Sequence, residues 1–163
     1  MNYNELSAAA VCYHPTSQEL TLLLKSLRLA VENQTGFCCY LINNNEIEGL
    51  WNEHNIACVT KNGKILELAN ISSDNKNEKL VLRIELEVWK RFDMAIHVIE
   101  GHGNIGYGRA HNLALELTEK KFHLILNTDV EIESDALKAG FKAFNLNPDS
   151  VLDTWFFLAD KTN

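Results

Sequence analysis

Apolar residues fall along this chain in two alternating rhythms: short unbroken runs that predict buried strands, and stripes at three- to four-residue spacing that predict helices. The first run, Ser7 to Tyr13 (SAAAVCY), is closed by His14-Pro15. Thr16 and Glu19 then form a capping-box pattern, and Leu20, Leu23, Leu24, Leu27 and Val31 make a helical core stripe running to about Glu32. Phe37 to Ile42 (FCCYLI) predicts a second buried strand, ending at Asn43-Asn44-Asn45. Ile56 to Thr60 and Ile65 to Leu68 predict two short strands around the turn Lys61-Asn62-Gly63-Lys64, and Ser72 to Asn77 a polar loop. Glu78 to Asp93 predicts a helix with Val81, Ile84, Val88 and Phe92 on its apolar face and its charged residues in solvent. Ala95 to Ile99 and His123 to Leu126 predict strands, joined through a helix carrying Ala110, Leu113, Ala114 and Leu117. Ser134 is placed to cap a helix bearing Leu137, Phe141 and Phe144, ended by Asn147-Pro148-Asp149. Val151 to Leu158 (VLDTWFFL) is the last apolar run. The alternation predicts an α/β fold, Rossmann-like, with a mostly parallel sheet flanked by helices on both faces.

At 163 residues the chain is long enough for one domain with its own core, and its 46% hydrophobic content is ordinary for a globular protein. A net charge of −7 argues against nucleic acid as a partner. There is no apolar run of membrane-spanning length and no signal peptide. Cys12, Cys38, Cys39 and Cys58 have no C-x-x-C or Cys/His metal spacing, which predicts reduced, mostly buried thiols and a cytoplasmic chain.

The chemistry concentrates between Ala95 and Glu133. Gly101-His102-Gly103-Asn104-Ile105-Gly106 is a literal G-x-G-x-x-G between a strand and a helix, and Asp129 ends the next strand. That pattern allows an NAD-type dinucleotide site with Asp129 on the ribose. In that fingerprint, however, the helix opens within the glycines, whereas here Asn104, Gly106 and Gly108 push the helix start later.

A second reading covers more residues. Asn104-Ile105-Gly106-Tyr107-Gly108-Arg109-Ala110-His111-Asn112, followed by Leu124-Ile125-Leu126-Asn127-Thr128-Asp129-Val130, resembles family-2 glycosyltransferases of the GT-A type. The match is closest to the rhamnosyltransferase-like branch, with its N-x-G-[YF]-[GA]-x-[GA]-x-N and L-x-L-N-x-D-[VT] patterns. The resemblance implies transfer of a sugar from a nucleotide diphosphate donor, UDP- or dTDP-linked, to a glycan or lipid-linked acceptor in bacterial surface polysaccharide synthesis. It implies Mg²⁺ or Mn²⁺ bridging the diphosphate, with Asp129 as the metal carboxylate and Asn127 beside it, offering a neutral oxygen or a hydrogen bond to sugar. Glu131 reads as a solvated residue, with a second metal acid as the alternative. Tyr13 and His14 fall at the first strand end, where relatives touch the nucleotide. Asn43 stands where relatives carry a base-recognising Asp, so the hydrogen-bonding pattern toward the base changes. Asn104, Gly106, Gly108, His111 and Asn112 would line the nucleotide pocket.

The resemblance covers only the family's donor-binding half, so residues 1–163 read as a single, incomplete nucleotide-sugar-binding domain, truncated at its C-terminus. No residue maps onto the family's acceptor-activating acid. These features predict donor binding without efficient transfer. They also predict a homodimer, or a partner completing the site, with Trp155, Phe156 and Phe157 as a self-associating segment. The expected location is the cytoplasm, or the inner face of the membrane as a peripheral protein. A non-catalytic nucleotide-sugar-binding module stands as a further alternative.

Overall fold

The computed structural model describes residues 3–45, 58–59, 65–66, 76–146 and 157–160. After one 3-10 turn at Tyr3–Glu5, the elements are β1 (Leu6–Cys12), α1 (Ser17–Ala30), β2 (Cys38–Asn43), β3 (Cys58–Val59) and β4 (Ile65–Leu66). They continue with α2 (Lys76–Arg91), β5 (Ala95–Ile99), α3 (Tyr107–Leu117), β6 (Phe122–Asn127), α4 (Ala136–Leu146) and β7 (Phe157–Asp160). The strands form one open sheet in the order β4-β3-β5-β2-β1-β6-β7. β3, β5, β2, β1 and β6 run parallel, while β4 and β7 are antiparallel edges. This is the predicted α/β architecture.

β1 lies at the centre, in register with Cys38–Asn43 on one side and Phe122–Asn127 on the other. All seven of its residues are buried, as expected of a parallel strand covered on both faces. Leu6, Ala8, Ala10 and Cys12 face one core with α1, α2 and α4, while Ala9 and Val11 face a second with Ala110 and Ala114 of α3. Alternate residues therefore serve different helices.

α1 forms as its sequence predicts. The Glu19 N–H donates to the Thr16 hydroxyl at 3.1 Å and the Thr16 N–H to the Glu19 carboxylate at 2.7 Å, closing the capping box. Leu20, Leu23, Leu24, Leu27 and Val31 are fully buried.

α2 departs from its predicted face. Ile84 and Phe92 are exposed, and Glu85 and Trp89 point inward. The cause lies on α1: Arg28 donates to both Glu85 oxygens, at 2.6 and 3.2 Å, and to Asn33 at 2.6 Å. Trp89 Nε1 donates to the Leu24 carbonyl at 3.1 Å. A carboxylate that finds a bidentate guanidinium is held inside instead of in solvent. The side chain of Val81 lies outside the described residues.

The two short strands β3 and β4 pair as the predicted hairpin, and the turn between them, the Ser72–Asn75 part of the polar loop and the Cys58 side chain lie outside the described residues. α4 starts at Ala136, one residue beyond the start a Ser134 cap would set, a difference ordinary at helix ends. Its Leu137 and Phe141 are buried. Phe144's side chain, the Asn147-Pro148-Asp149 stop and Val151–Phe156 lie outside the described residues, while Phe157–Asp160 pairs with β6. No helix among the described residues is long and apolar enough to cross a membrane.

Candidate functional site at the carboxyl edge of the sheet

In chain order β1 leads through α1 to β2 on one side, whereas β5 leads through α3 to β6 on the opposite side of β1. The chain thus reverses direction between β1 and β6, the place where open α/β sheets form a ligand crevice beyond their carboxyl ends. A cavity of about 420 Å³ lies there. Val11 of β1 and Tyr13 and His14 just beyond it contribute; the first turn of α1 contributes Glu19; and Asn44 follows β2. The glycine-rich segment supplies Asn104, Gly106 and Tyr107, and the end of β6 supplies Asn127, Thr128 and Asp129.

The three asparagines after β2 fasten this edge together. The Asn44 N–H donates to the Cys12 carbonyl at 2.9 Å. Its side-chain Nδ2 donates to Asn104 Oδ1 at 3.1 Å, while its Oδ1 accepts from the Ile105 N–H at 3.0 Å. Asn45 Oδ1 accepts from the His14 N–H at 2.9 Å, which holds His14 at a φ of 49°. A non-glycine residue in that region is unusual, and such backbone concentrates at binding sites. Asn43 is buried and turns away from the cavity; its Nδ2 donates to Glu100 at 3.3 Å and its Oδ1 accepts from the Asn45 N–H at 3.2 Å.

The glycine segment turns before α3 starts. Gly101, Gly103 and Gly106 all take positive φ, and Gly106, at 84°, is the N-cap of α3. Gly108 sits inside the first helical turn without positive φ, so its place there rests on no backbone requirement of that kind. The Gly106 N–H donates to Asn104 Oδ1 at 3.1 Å. Tyr107, half exposed, reaches across the cavity: its hydroxyl donates to Asn127 Oδ1 at 2.8 Å. Burial, and then the charge of Asp129, push the Tyr107 phenol up from its ordinary value. One turn on, the His111 ring packs edge-on against Tyr107 at 4.6 Å between centroids. His111 is buried with no hydrogen bond on either ring nitrogen, and burial lowers its pKa to about 4. It is a neutral, packed ring below the cavity. Asn112 is exposed on α3.

The predicted residues thus divide. Tyr13, His14, Asn104, Gly106, Asn127 and Asp129 converge on one cavity. Asn43, Gly108, His111 and Asn112 are not part of its lining, and Glu131 is exposed. Asn44, Glu19 and Tyr107 line it without having been singled out, although Tyr107 occupies the aromatic position of the glycine motif.

Among the described residues, two carboxylates, Glu19 and Asp129, line the cavity, and no lysine or arginine does. Glu19 Oε2 is engaged in the α1 cap, accepting from the Thr16 N–H and hydroxyl. Asp129 is exposed, and among the described residues no hydrogen bond occupies its carboxylate. No group of three His, Cys, Asp or Glu side chains is placed to chelate a metal there, among the described residues. The donor set therefore fits a hard cation held by one carboxylate with a ligand's phosphate oxygens and water, and does not fit a cation caged by protein.

Three cysteines and a Ser–His pair among the described residues lie outside the cavity lining. Cys12, Cys38 and Cys39 are free and buried; burial pushes Cys12 to about 12 and raises the other two, so none supplies a thiolate. Ser7 Oγ lies 2.7 Å from His123 Nδ1 and accepts from the Thr118 hydroxyl at 3.0 Å. Both Ser7 and His123 are fully buried, so this pair joins β1 to β6 and meets no substrate.

No family model matches the sequence, and no curated protein does. Among solved structures, the chain is similar to residues 1–349 of TarS from S. aureus, at 17% identity and a TM-score of 0.49, over 88% of this chain and 33% of that one. The same TarS fragment in complex with UDP-GlcNAc aligns at 18% identity and 0.48, and in complex with UDP at 19% and 0.47, over 88% of this chain and 32% of each. The chain thus spans about a third of the length of these structures.

Proposed function

We propose that this chain is the donor-binding part of a GT-A-type, family-2 glycosyltransferase, and that the cavity between β1 and β6 takes a nucleoside diphosphate sugar. One observation carries the reading: the Tyr107–Asn127 hydrogen bond joins the glycine motif to the Asn127-Thr128-Asp129 turn across one cavity. The cavity is of ordinary ligand size. The amino end of α3, at Tyr107, opens toward this cavity, where a helix N-terminus favours a phosphate. Exposed Tyr13 and the strained His14 stand at the β1 end for the nucleoside.

Among the described residues, the lining carries two acids and no lysine or arginine. A diphosphate bound there needs a counter-charge, and Asp129 with Asn127 at its side is where Mg²⁺ or Mn²⁺ would be held. When bound, that cation would neutralise charge gathering on the leaving diphosphate. Transfer to a glycan or lipid-linked acceptor, in surface polysaccharide synthesis, is the expected reaction of the whole protein.

An NAD site fits less well. β5 and β6 are separated in the sheet by β2 and β1, so Asp129 does not end the strand beside the glycine turn. α3 also begins at Tyr107, after the third glycine of the fingerprint. Calorimetric titration with UDP-GlcNAc, a dTDP-sugar and NADH, each with Mn²⁺ and with chelator, tests the reading. Saturable, cation-dependent binding of a nucleotide sugar is the expected result. Binding of NADH alone would turn the assignment to the dinucleotide class.

A further inference from the structure

Asn127 is an ambidextrous group: one amide oxygen that accepts and one NH₂ that donates. Which atom meets a ligand depends on what holds the other. Here the answer lies across the cavity, on α3. The Tyr107 hydroxyl donates to Oδ1 at 2.8 Å, and among the described residues Nδ2 has no partner. Tyr107 is itself fixed, by the edge-on ring of His111 beneath it and by its place in the first turn of α3. Asn127, Thr128 and Asp129 all face the same space.

We infer that Tyr107 sets the orientation of the Asn127 amide, so that position 127 presents an N–H donor to the ligand and leaves cation binding to Asp129. The inference rests on the nucleotide-sugar reading of this cavity and adds the chemistry that Asn127 recognises: an acceptor oxygen, on a phosphate or on a sugar hydroxyl. Tyr107 is a positioning residue in this scheme. Its phenol acts through Asn127 and holds the amide oxygen away from the cation. A carboxylate at 127 would present oxygen on either side and could not make this distinction.

The test uses the full chain with Tyr107→Phe, Asn127→Ala and the double variant. Tyr107→Phe keeps the ring against His111 and removes only the hydroxyl. In ligand-free protein it should shift the Asn127 side-chain amide signals in a ¹H–¹⁵N spectrum. In calorimetry with Mn²⁺ it should weaken ligand binding about five- to ten-fold, the effect of one misdirected hydrogen bond. Weakening of UDP-GlcNAc but not UDP assigns the contact to the sugar; equal weakening of both assigns it to phosphate. In the Asn127→Ala background, Tyr107→Phe should add nothing further. With UDP present, Asp129→Ala should lose the Mn²⁺-dependent part of binding while Asn127→Ala retains it. Loss of that Mn²⁺ dependence in Asn127→Ala, or unchanged ligand affinity in Tyr107→Phe, would overturn the inference alone. A wild-type chain that binds neither UDP-GlcNAc nor a dTDP-sugar, nor UDP nor dTDP, would overturn the nucleotide reading and this role with it.

Discussion

The layer under α1 and α2 and the edge where β1, β2 and β6 end are built from opposite materials. Beneath the helices, five aliphatic side chains of α1 are fully buried, and the charged groups there, Arg28 and Glu85, answer each other bidentately. At the edge, the connections are single hydrogen bonds between asparagines and loop backbone, and Tyr13, Tyr107, Asn127 and Asp129 are open to solvent. Folding free energy resides mainly in the first region, and the proposed ligand contacts lie in the second. Substitutions in the two should therefore move different observables: the unfolding midpoint in one, ligand affinity in the other.

The strongest challenge to this division is Glu85→Ala. It leaves Arg28 buried without its carboxylate and should lower stability by about 3–5 kcal/mol in urea unfolding. Replacing both partners by apolar residues should cost much less. If Glu85→Ala unfolds at the wild-type midpoint, the pair lies in solvent and the layer is looser than described.

Next comes acid. The pKa of His111 falls to about 4 in the folded chain, from an ordinary value near 6.5. Between those values the unfolded chain binds more protons, so stability is full above about pH 6.5 and falls as pH drops toward 4. The loss should reach on the order of 3 kcal/mol. Unfolding curves across that window should flatten in His111→Leu; an unaltered slope would assign the acid sensitivity to other groups.

Asn44→Ala should follow, at about 1–3 kcal/mol, because it strands the half-buried Ile105 N–H. It should also weaken nucleotide-sugar binding, since the glycine segment loses its fastening; stability loss with unchanged affinity would separate the two. The smallest stability effect belongs to Asp129→Ala, within about 0.5 kcal/mol for an exposed residue. That variant should nonetheless lose the Mn²⁺-dependent part of ligand binding. Equal affinity with and without chelator in the wild-type chain would dissolve the contrast.

Where the sequence was legible, each element carried its own instructions. α1 has its capping box and leucine stripe within its own residues, and β1 and β2 are unbroken apolar runs between polar stops. α2 was misread because its inward face depends on Arg28, 57 residues away: periodicity selected Ile84 and Phe92, and an ion pair selected Glu85. The site shows the same limit. Asp129 and Asn127 stand out as a polar stop after a buried strand. Asn43 and Asn44 are indistinguishable within a run of three asparagines until the strand's alternation turns Asn43 toward Glu100 and Asn44 toward Asn104. Tyr107 belonged to the motif, but its bond to Asn127 spans a sheet order that the chain order hides.

That sheet order has a metrical consequence. Asn44 follows β2 and Asn127 ends β6, with β1 alone between them. The breadth of the crevice is thus two strand spacings, roughly 10 Å. It is ruled by backbone ladders and not by the loops above. Exchanging side chains at the strand tips can alter what is gripped there, while the gauge of the opening stays that of the sheet itself.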